Sequence, residues 1–266
     1  MAAASDLICA GGALNSAPGA VPLEVFDCAG WTVHDYEVVD SSNRVAASLP
    51  PWHAVRATIQ TAGRGRFHRS WVSDKGGLWI SAVVPISSLE KALLLPLLSG
   101  LVLCSLLRQQ GLSSLRMRWP NDILVGHRKL AGILVDAFPS GKAVIGVGIN
   151  LSNHPESLDS TLNLQTARLA DLLPHAPSVD ELTLQVLETL RRELEDFTRH
   201  GEILPLARVN QLWGSPRHVE LDLDGPVCRG LFKGVDLQGR LELAGADGAT
   251  RFYSAHQVRH LTEIEN

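Results

Sequence analysis

Alternating apolar and polar residues predict strands in the first part of the chain. Residues 33–39 and 54–60 alternate in this way, and GGLWISAVVP (76–85) is a more continuous apolar run that begins at a glycine pair. The polar cluster DSSN (40–43) is typical of a helix N-cap, so we predict a helix over 44–49 that ends at the following PPW sequence. These patterns predict the order strand, helix, strand, strand.

A longer periodicity predicts helices further along the chain. Residues 88–110 are apolar enough to form one long helix, which Pro96 would kink or divide in two. Residues 178–200 carry leucines along one helical face, and a shorter helix is expected near 202–213. The longest apolar run, 92–107, is shorter than the roughly 20 residues of a membrane span, so we expect a buried helix and no membrane contact.

Between these helical regions the pattern predicts short strands joined by tight turns. The strands are expected at 115–119, 123–125, 129–138 and 143–152, followed by an irregular polar loop over 153–168. Connections this short join antiparallel neighbours, because a parallel crossover needs a dozen residues or more.

The composition changes after residue 213. Short alternating strands separated by DLDG, DLQG and GADG turns predict a small, separate β-barrel or sandwich. The predicted fold class is α+β, a mixed or antiparallel sheet with helices on one face followed by a β module. We divide the chain into a disordered tail (1–25), a first domain (26–213) and a C-terminal β domain (214–266).

Composition and charge narrow the functional classes. The chain has 266 residues and a formal net charge of −4, which argues against general binding to nucleic acid. Its four cysteines lie far apart without a C-x-x-C pair, as expected in a reducing cytosol. The first 20 residues contain no lysine or arginine, which a targeting signal would carry, so we predict a cytoplasmic location.

Three clusters could carry chemistry. The segment TAGRGRFHRSW (61–71) alternates glycine with arginine, which suits a loop that wraps a small anion, although a solvated loop tip would look similar. In RWPNDILVGHRKLAGIL (118–134), Lys129 stands at the start of a buried strand close to Gly132, whereas Pro-Asn-Asp alone could be an ordinary turn. The sequence GVGIN (146–150), taken alone, favours a buried strand whose small residues allow close packing.

Several familiar catalytic motifs are absent from the sequence. It contains no P-loop, no G-x-S-x-G elbow and no H-E-x-x-H pair. The sequence has arginines in a glycine loop near a lysine and no nucleophile or metal cluster. This combination favours a reaction between anions in which the cations stabilise negative charge. The activation of a carboxylate by ATP is such a reaction.

Taken in order, the motifs resemble those of biotin protein ligases. The series is DSSN, then QTAGRGRxxRxW (60–71), RWPND (118–122), RKLAGIL (128–134) and GVGIN. It covers residues 37–152, and the region after 215 looks like the small SH3-like domain that ends these enzymes. The resemblance implies a biotin/lipoate ligase-like catalytic domain that converts biotin and Mg-ATP to biotinyl-adenylate. A lysine of a biotin carboxyl carrier protein, the acceptor of a biotin-dependent carboxylase such as acetyl-CoA carboxylase, then attacks the adenylate and releases AMP.

The resemblance also implies roles for individual residues. It assigns biotin binding to seven positions: Ser41, Ser42, Gln60, Gly63, Arg64, Lys129 and Gly132. It assigns nucleotide or phosphate binding to six: Arg66, Arg69, Trp71, Asn121, Asp122 and Asn150. Lys129 and Arg66 would be catalytic, Trp71 and Trp79 would form apolar walls, and Asp122 would assist a metal ion or the acceptor amine, with no other protein ligand assigned to a metal.

The sequence departs from the family pattern at two positions and leaves alternatives open. Arg118 replaces the usual lysine before WPND, and His68 stands where the loop commonly has a glycine, which would stiffen it. A lipoate or octanoate ligase of the same fold and a non-catalytic biotin- or nucleotide-binding protein remain alternatives. The residues before Trp31 are too few for a DNA-reading domain, so we predict the single-function form without DNA binding, as a monomer or homodimer.

Overall fold

The computed structural model of the chain describes residues 21–155 and 165–264. Eight strands form the first sheet: β1 (Glu24–Cys28), β2 (Trp31–Val39), β3 (His53–Gln60), β4 (Leu78–Pro85), β5 (Leu115–Arg118), β6 (Asp122–Val125), β7 (Arg128–Phe138) and β8 (Lys142–Ile149). Their order across the sheet is β1-β2-β3-β4-β8-β7-β6-β5. Every neighbouring pair is antiparallel except β2 and β3, which are parallel. The 13 residues between β2 and β3 (40–52) contain α1 (Ser42–Ala46), and this is long enough for a crossover.

The two faces of this sheet pack against different parts of the protein. Successive side chains of a strand point to opposite faces. On one face, alternate residues such as Ile80, Ile133 and Ile145 belong to the main core. On the other face, Val83 and Val144 pack with Ala46 of α1 in a smaller cluster. The polar pocket described below opens on the α1 face.

The helices of the main core cover the first face. They are α2 (Leu89–Ala92), α3 (Leu95–Gln109), α4 (Leu169–Leu172), α5 (Val179–Arg199) and α6 (Leu206–Asn210). The start of α5 is defined by its N-cap: Ser178 accepts from the backbone N–H of Glu181 at 3.2 Å, and Glu181 accepts from the backbone N–H of Ser178 at 2.7 Å.

The apolar segment Leu89–Gln109 has a mean hydropathy of 1.8 and would be long enough to cross a membrane by composition alone. In the structure it is divided into α2 and α3, and most of it is buried inside the protein. Pro96 stands in the first turn of α3, where its missing N–H costs no hydrogen bond. The expected division near Pro96 and the expected burial are therefore confirmed.

The C-terminal β module is a second, antiparallel sheet. Its strands are β9 (Arg217–Asp222), β10 (Val227–Val235), β11 (Leu241–Ala244), β12 (Thr250–Tyr253) and β13 (His260–Glu263), in the order β12-β11-β10-β9-β13. The module packs on the first sheet: the indole of Trp119 donates to the carbonyl of Gly239 at 3.1 Å, and Arg116 pairs with Glu263 at 2.5 Å. The predicted α+β class with a terminal β module is confirmed.

Two expectations need correction. Helices do not lie on one face alone, because α1 packs on the opposite face of the sheet from α3 and α5. The first strand is β1, not the strand near residue 33, and β1 begins at Glu24 inside the range predicted as a disordered tail. Residues 1–20 and most of the predicted loop 153–168 lie outside the described residues. The two sheets separate between α6 and β9, where the sequence analysis places its domain boundary.

Candidate active site

A cavity of about 500 Å³ opens on the α1 face of the large sheet. Four regions form its walls: α1, the Gly/Arg loop (residues 61–71), the ends of β6 to β8, and residues 258–261 of the C-terminal module. The row Trp79–Gly148–Gly132–Asp122 crosses four neighbouring strands of this sheet. Strand pairing thus brings together residues of three separate motifs, RWPND, RKLAGIL and GVGIN.

One end of the cavity is a network of neutral polar side chains, here called the polar end (Ser42, Asn43, Gln60, Ser73 and Ser81). Gln60 Oε1 accepts from the backbone N–H and the hydroxyl of Ser42 at 2.8 and 3.0 Å, and Gln60 Nε2 donates to Ser73 Oγ at 2.8 Å. Ser81, which is fully buried, contacts Ser42 Oγ at 2.7 Å and Asn43 Oδ1 at 2.6 Å. Such a network holds each donor and acceptor in place for a small polar ligand group.

The middle of the cavity is narrow and apolar. The indole of Trp71 lies across two glycines, so that a Cβ at Gly148 would come within 2.7 Å of Trp71 Nε1 and a Cβ at Gly132 within 3.2 Å of Trp71 Cζ3. Lys129 Nζ lies 4.9 Å from the centroid of the Trp71 ring, and Trp79 packs edge-on against it with centroids 6.3 Å apart. Glycine is required at both positions because any side chain there would collide with this indole.

The opposite end, here called the charged end, is organised around Asp122. Its carboxylate is 2.5 Å from Lys129 Nζ and accepts from Arg118 Nη2 at 2.7 Å. Burial by itself would raise the pKa of Asp122, but the charges of Lys129 and Arg118 outweigh it and lower the pKa below its usual value. Asp122 is therefore ionised, and Arg118 keeps a cation where the family pattern has lysine.

Arg66 joins the Gly/Arg loop to the C-terminal module. Its Nη2 donates to the carbonyls of Ala255 at 2.5 Å and Val258 at 3.1 Å. Burial lowers the pKa of Arg66 to about 10, with Asp122 acting in the opposite direction, so the guanidinium still carries its charge at neutral pH. Arg69 makes a similar contact, donating to the carbonyl of Arg259 at 3.2 Å.

The backbone of the Gly/Arg loop explains two of its positions. Phe67 and His68 have φ angles of 53° and 57°, in the left-handed region that costs a non-glycine residue energy. His68 thus occupies a position that glycine would adopt without strain. A Cβ at Gly63 would overlap the carbonyl of Trp71, which is why glycine is needed there.

Two asparagines lie between the middle of the cavity and its charged end. Asn121 Nδ2 donates to the carbonyl of Ile133 at 2.8 Å. Asn150 is 2% exposed and accepts from Asn153 Nδ2 at 3.1 Å. Both are held by protein partners and present part of their surface to the cavity.

The structure brings nearly all the predicted site residues to this one cavity. Twelve line it: Ser41, Ser42, Gln60, Arg64, Arg66, Arg69, Trp71, Asn121, Asp122, Lys129, Gly132 and Asn150. Gly63 is not among the described residues that line the cavity, and it affects the site through the shape of the loop backbone. Trp79 packs against Trp71. Trp71 lies over Gly132 and Gly148 with Lys129 beside it, and its assignment to the nucleotide stays a prediction.

Sequence reasoning missed two groups of residues. Ser81 and Asp136 are polar side chains within otherwise apolar strands, a signal that could have identified them. The stretch 258–261 of the C-terminal module also lines the cavity, and no local signal marks it because only tertiary packing brings it there.

The electrostatics of the cavity favour an anionic ligand. Among the described lining residues, six are arginine or lysine (Arg64, Arg66, Arg69, Arg118, Lys129 and Arg259) and one, Asp122, is acidic. No group of three His, Cys, Asp or Glu side chains within the described residues could hold a metal ion.

Known proteins resemble this chain in sequence and in fold. Residues 37–151 match the biotin/lipoate A/B protein ligase family. The bifunctional ligase/repressor BirA of Escherichia coli is 32% identical over 231 residues, which cover 80% of this chain and 70% of that protein. The biotin–[acetyl-CoA-carboxylase] ligase of Mycobacterium tuberculosis is 31% identical over 213 residues, 77% of each chain.

A solved structure supports the same fold. The biotin protein ligase of Aquifex aeolicus, in complex with biotin and ATP, superposes with a TM-score of 0.75 at 22% identity and covers 87% of this chain and 99% of that one. The sequence relatives go beyond the fold, because their identity extends over most of both chains. The chain belongs to the biotin/lipoate A/B protein ligase family.

Proposed function

We propose that this protein is a biotin protein ligase, which activates biotin with ATP and transfers it to a lysine of a biotin carboxyl carrier protein. The observation that carries the proposal is the division of one cavity into a neutral polar end and a cationic end, with Trp71, Gly132 and Gly148 lining the part between them. Biotin has the matching shape: a neutral ureido ring, an apolar chain and a carboxylate. The names of the close relatives agree with this activity.

In the first half-reaction a carboxylate oxygen of biotin attacks the α-phosphorus of ATP, and the bond to the β-phosphate breaks to release pyrophosphate. Two anions must approach each other, so cations have to offset the repulsion. Lys129, which lies beside Gly132, would be at the point where the carboxylate and the α-phosphate meet. Arg66 and Arg69 would bind phosphate oxygens.

In the second half-reaction the ε-amine of the acceptor lysine attacks the acyl carbon, AMP leaves and the amine loses a proton. Asp122 is ionised and lies beside Lys129, so it would accept a hydrogen bond from the attacking amine and orient it. Because its lowered pKa makes it a weak base, the proton passes on to solvent. Between the two steps the adenylate must be protected from water, and the Gly/Arg loop with residues 258–261 would cover it.

The proposed substrates also imply a metal ion and a protein partner. Mg²⁺ would enter as Mg-ATP, with its ligands supplied mainly by the phosphates. The macromolecular partner would be the acceptor domain of a biotin-dependent carboxylase in the cytoplasm, and we propose no role in binding nucleic acid. The single-function form and the choice between monomer and homodimer remain predictions.

The test is ATP–pyrophosphate exchange measured with biotin, with lipoate and without an acid, because this assay reports the first half-reaction without an acceptor. Exchange that requires biotin supports the proposal. Exchange that requires lipoate would assign the protein to the lipoate branch of the family. A folded preparation that exchanges with neither acid would contradict a ligase function and indicate a binding protein.

A further inference from the structure

Asp136 is a buried acid next to the cavity that has no role in the reaction described above. It lies on β7, two residues beyond Leu134 and four beyond Gly132, so that it points to the same face of the sheet as the cavity. Its side chain is 16% exposed. A carboxylate this buried requires polar partners, because an uncompensated charge away from water is costly.

Its partners come from two separate parts of the site. Asp136 Oδ2 accepts from Asn43 Nδ2 of α1 at 2.9 Å and from Arg64 Nη2 of the Gly/Arg loop at 3.3 Å. Among the described residues, Asn43 and Arg64 line the cavity and Asp136 does not. Asp136 therefore connects the polar end to the loop from behind.

The carboxylate also imposes a direction on the hydrogen bonds of the polar end. Since Asp136 is an acceptor, the Asn43 amide must direct its NH₂ group toward it and its oxygen toward Ser81. Ser81 Oγ then donates its proton to Asn43 Oδ1 at 2.6 Å. Ser81 then donates nothing to Ser42, and the one proton of the Ser42 hydroxyl goes to Ser81 Oγ at 2.7 Å or to Gln60 Oε1 at 3.0 Å.

This direction determines what Ser42 can offer a ligand. With its proton directed toward Ser81 or Gln60 and no proton arriving from Ser81, the Ser42 hydroxyl keeps a lone pair for a ligand N–H. Gln60, whose Oε1 already accepts from the backbone N–H of Ser42, continues the network through Ser73 to the carbonyl of Trp71. The network thus begins at Arg64 and ends at Trp71, at both ends of the segment that covers the cavity.

We propose that Asp136 is a positioning residue for the biotin head group. Its carboxylate presets the Ser42 hydroxyl as an acceptor for a ureido N–H, and it holds the Gly/Arg loop against the polar end through Arg64. The affinity for biotin would then depend on a side chain that biotin does not touch. This inference rests on the proposed function.

The experiment is calorimetric titration of biotin, without ATP, into the full chain and into matched variants. Asp136→Asn is paired with Asp35→Asn, because Asp35 is 17% exposed and also binds an arginine, Arg56, on the α5 side of the sheet. We expect Asp136→Asn to weaken biotin binding about tenfold or more, since it removes a charge-assisted bond and allows the amide network to reverse. Asp35→Asn should change the affinity less than about twofold.

A second pair keeps the test valid if Asp136→Asn fails to fold. Ser81→Ala interrupts the network between Asn43 and Ser42, and Ser99→Ala is its control. Ser99 is a 1% exposed serine of α3 whose hydroxyl has no hydrogen-bond partner among the described residues. We expect weaker biotin binding for Ser81→Ala and an unchanged affinity for Ser99→Ala.

The readouts separate the possible failures. If the wild-type chain does not bind biotin, the proposed function fails and this inference fails with it. If the wild type binds biotin but Asp136→Asn or Ser81→Ala binds it as tightly, the inference alone is wrong. Equal losses in Asp136→Asn and Asp35→Asn would also overturn it, because they would reflect lowered stability. The KM for ATP in the exchange reaction should change less than the affinity for biotin in Asp136→Asn, since the hydrogen bonds of the network involve none of Arg66, Arg69 and Lys129.

Discussion

The two ends of the cavity are built on different principles. The polar end consists of short, neutral side chains held by α1 and by strands in the middle of the sheet, and its members are bonded mainly to one another. At the charged end, long side chains come from the loop and from β5 to β7, and Arg66 and Arg69 bond carbonyls of the C-terminal module. The polar end thus presents neutral donors and acceptors fixed by one another, whereas the charged end presents long cationic side chains held by an acid and by backbone carbonyls.

This difference predicts how each end responds to mutation. A neutral network loses affinity for one ligand group when a member is removed, because the remaining donors and acceptors lose their partners. When a member of a cationic cluster is removed, the reaction slows and the intermediate is held less tightly, because the charges act on groups that change during the reaction. Four predictions test this contrast, in order of expected effect.

The largest effect is expected for Lys129→Ala. The cation at the meeting point of the two anions disappears, so biotin-dependent pyrophosphate exchange should fall about 100- to 1,000-fold, the range for loss of one electrostatic stabiliser. Biotin binding without ATP should change much less. The control is Lys91→Ala, a lysine that bonds the carbonyl of Glu202 on the helical side. Exchange close to wild type in Lys129→Ala would contradict the assigned role.

Arg66→Ala should act on the intermediate. The loop loses its two bonds to the C-terminal carbonyls and the phosphate loses a cation, so the adenylate should leave the enzyme about tenfold faster or more. Its release can be followed by trapping labelled adenylate after rapid dilution. Arg69→Ala, which removes a single longer bond, should have a smaller effect. Equal release rates in both variants would mean that the contacts with Ala255 and Val258 do not retain the adenylate.

Ser42→Ala should affect the polar end selectively. Removing one hydroxyl from the network should raise the KM for biotin about three- to tenfold, the cost of one ordinary hydrogen bond. The KM for ATP should remain near that of the wild type, because Ser42 has no contact with the charged end. A parallel rise of both KM values would show that the two ends are not independent.

The smallest effect concerns the docking of the C-terminal module through Glu263. Burial would raise the pKa of Glu263, but the hydrogen bond and the charge of Arg116 outweigh it and hold the pKa below its usual value. Such a carboxylate stabilises the fold above its ordinary pKa of about 4.3, and this contribution disappears as the pH falls through the lowered value. The melting temperature of the wild type should therefore decrease in acid. The melting temperature of Glu263→Gln should decrease less, and at pH 7 this variant should be less stable than the wild type.

The control for this pH dependence is Glu220→Gln. Glu220 pairs with Arg229 inside the C-terminal module, and Arg229 is 72% exposed, so solvent screens the pair. Its variant should follow the wild-type melting profile closely. The same loss in both variants would show that the acid sensitivity does not come from the contact between the sheets.

The sequence predicted the fold class correctly and named residues that come together in one cavity, but it did not predict how the helices are arranged on the sheet. The motifs identify twelve residues that line one cavity, because glycine, arginine and lysine at those spacings carry local information about backbone shape and charge. The position of α1 on the opposite face of the sheet from α3 was not predicted, since a helical pattern does not state which face of a sheet it will cover. Ser81 and Asp136 were missed for a related reason: a polar residue in an apolar strand acquires its meaning from the partner opposite it.

By itself, the sequence determined the elements and the chemistry of this protein. Strand alternation, the N-cap before α5, the glycines of the loop and the cationic motifs are all local properties, in which each residue acts on its immediate neighbours or through its own charge. Tertiary structure alone decided three further points. It stacked Trp71 on Gly132 and Gly148, placed Asp136 behind Asn43 and Arg64, and brought the carbonyls of Ala255 and Val258 to Arg66. These contacts join residues up to 192 positions apart, and only the burial of a shared core makes such distant groups neighbours.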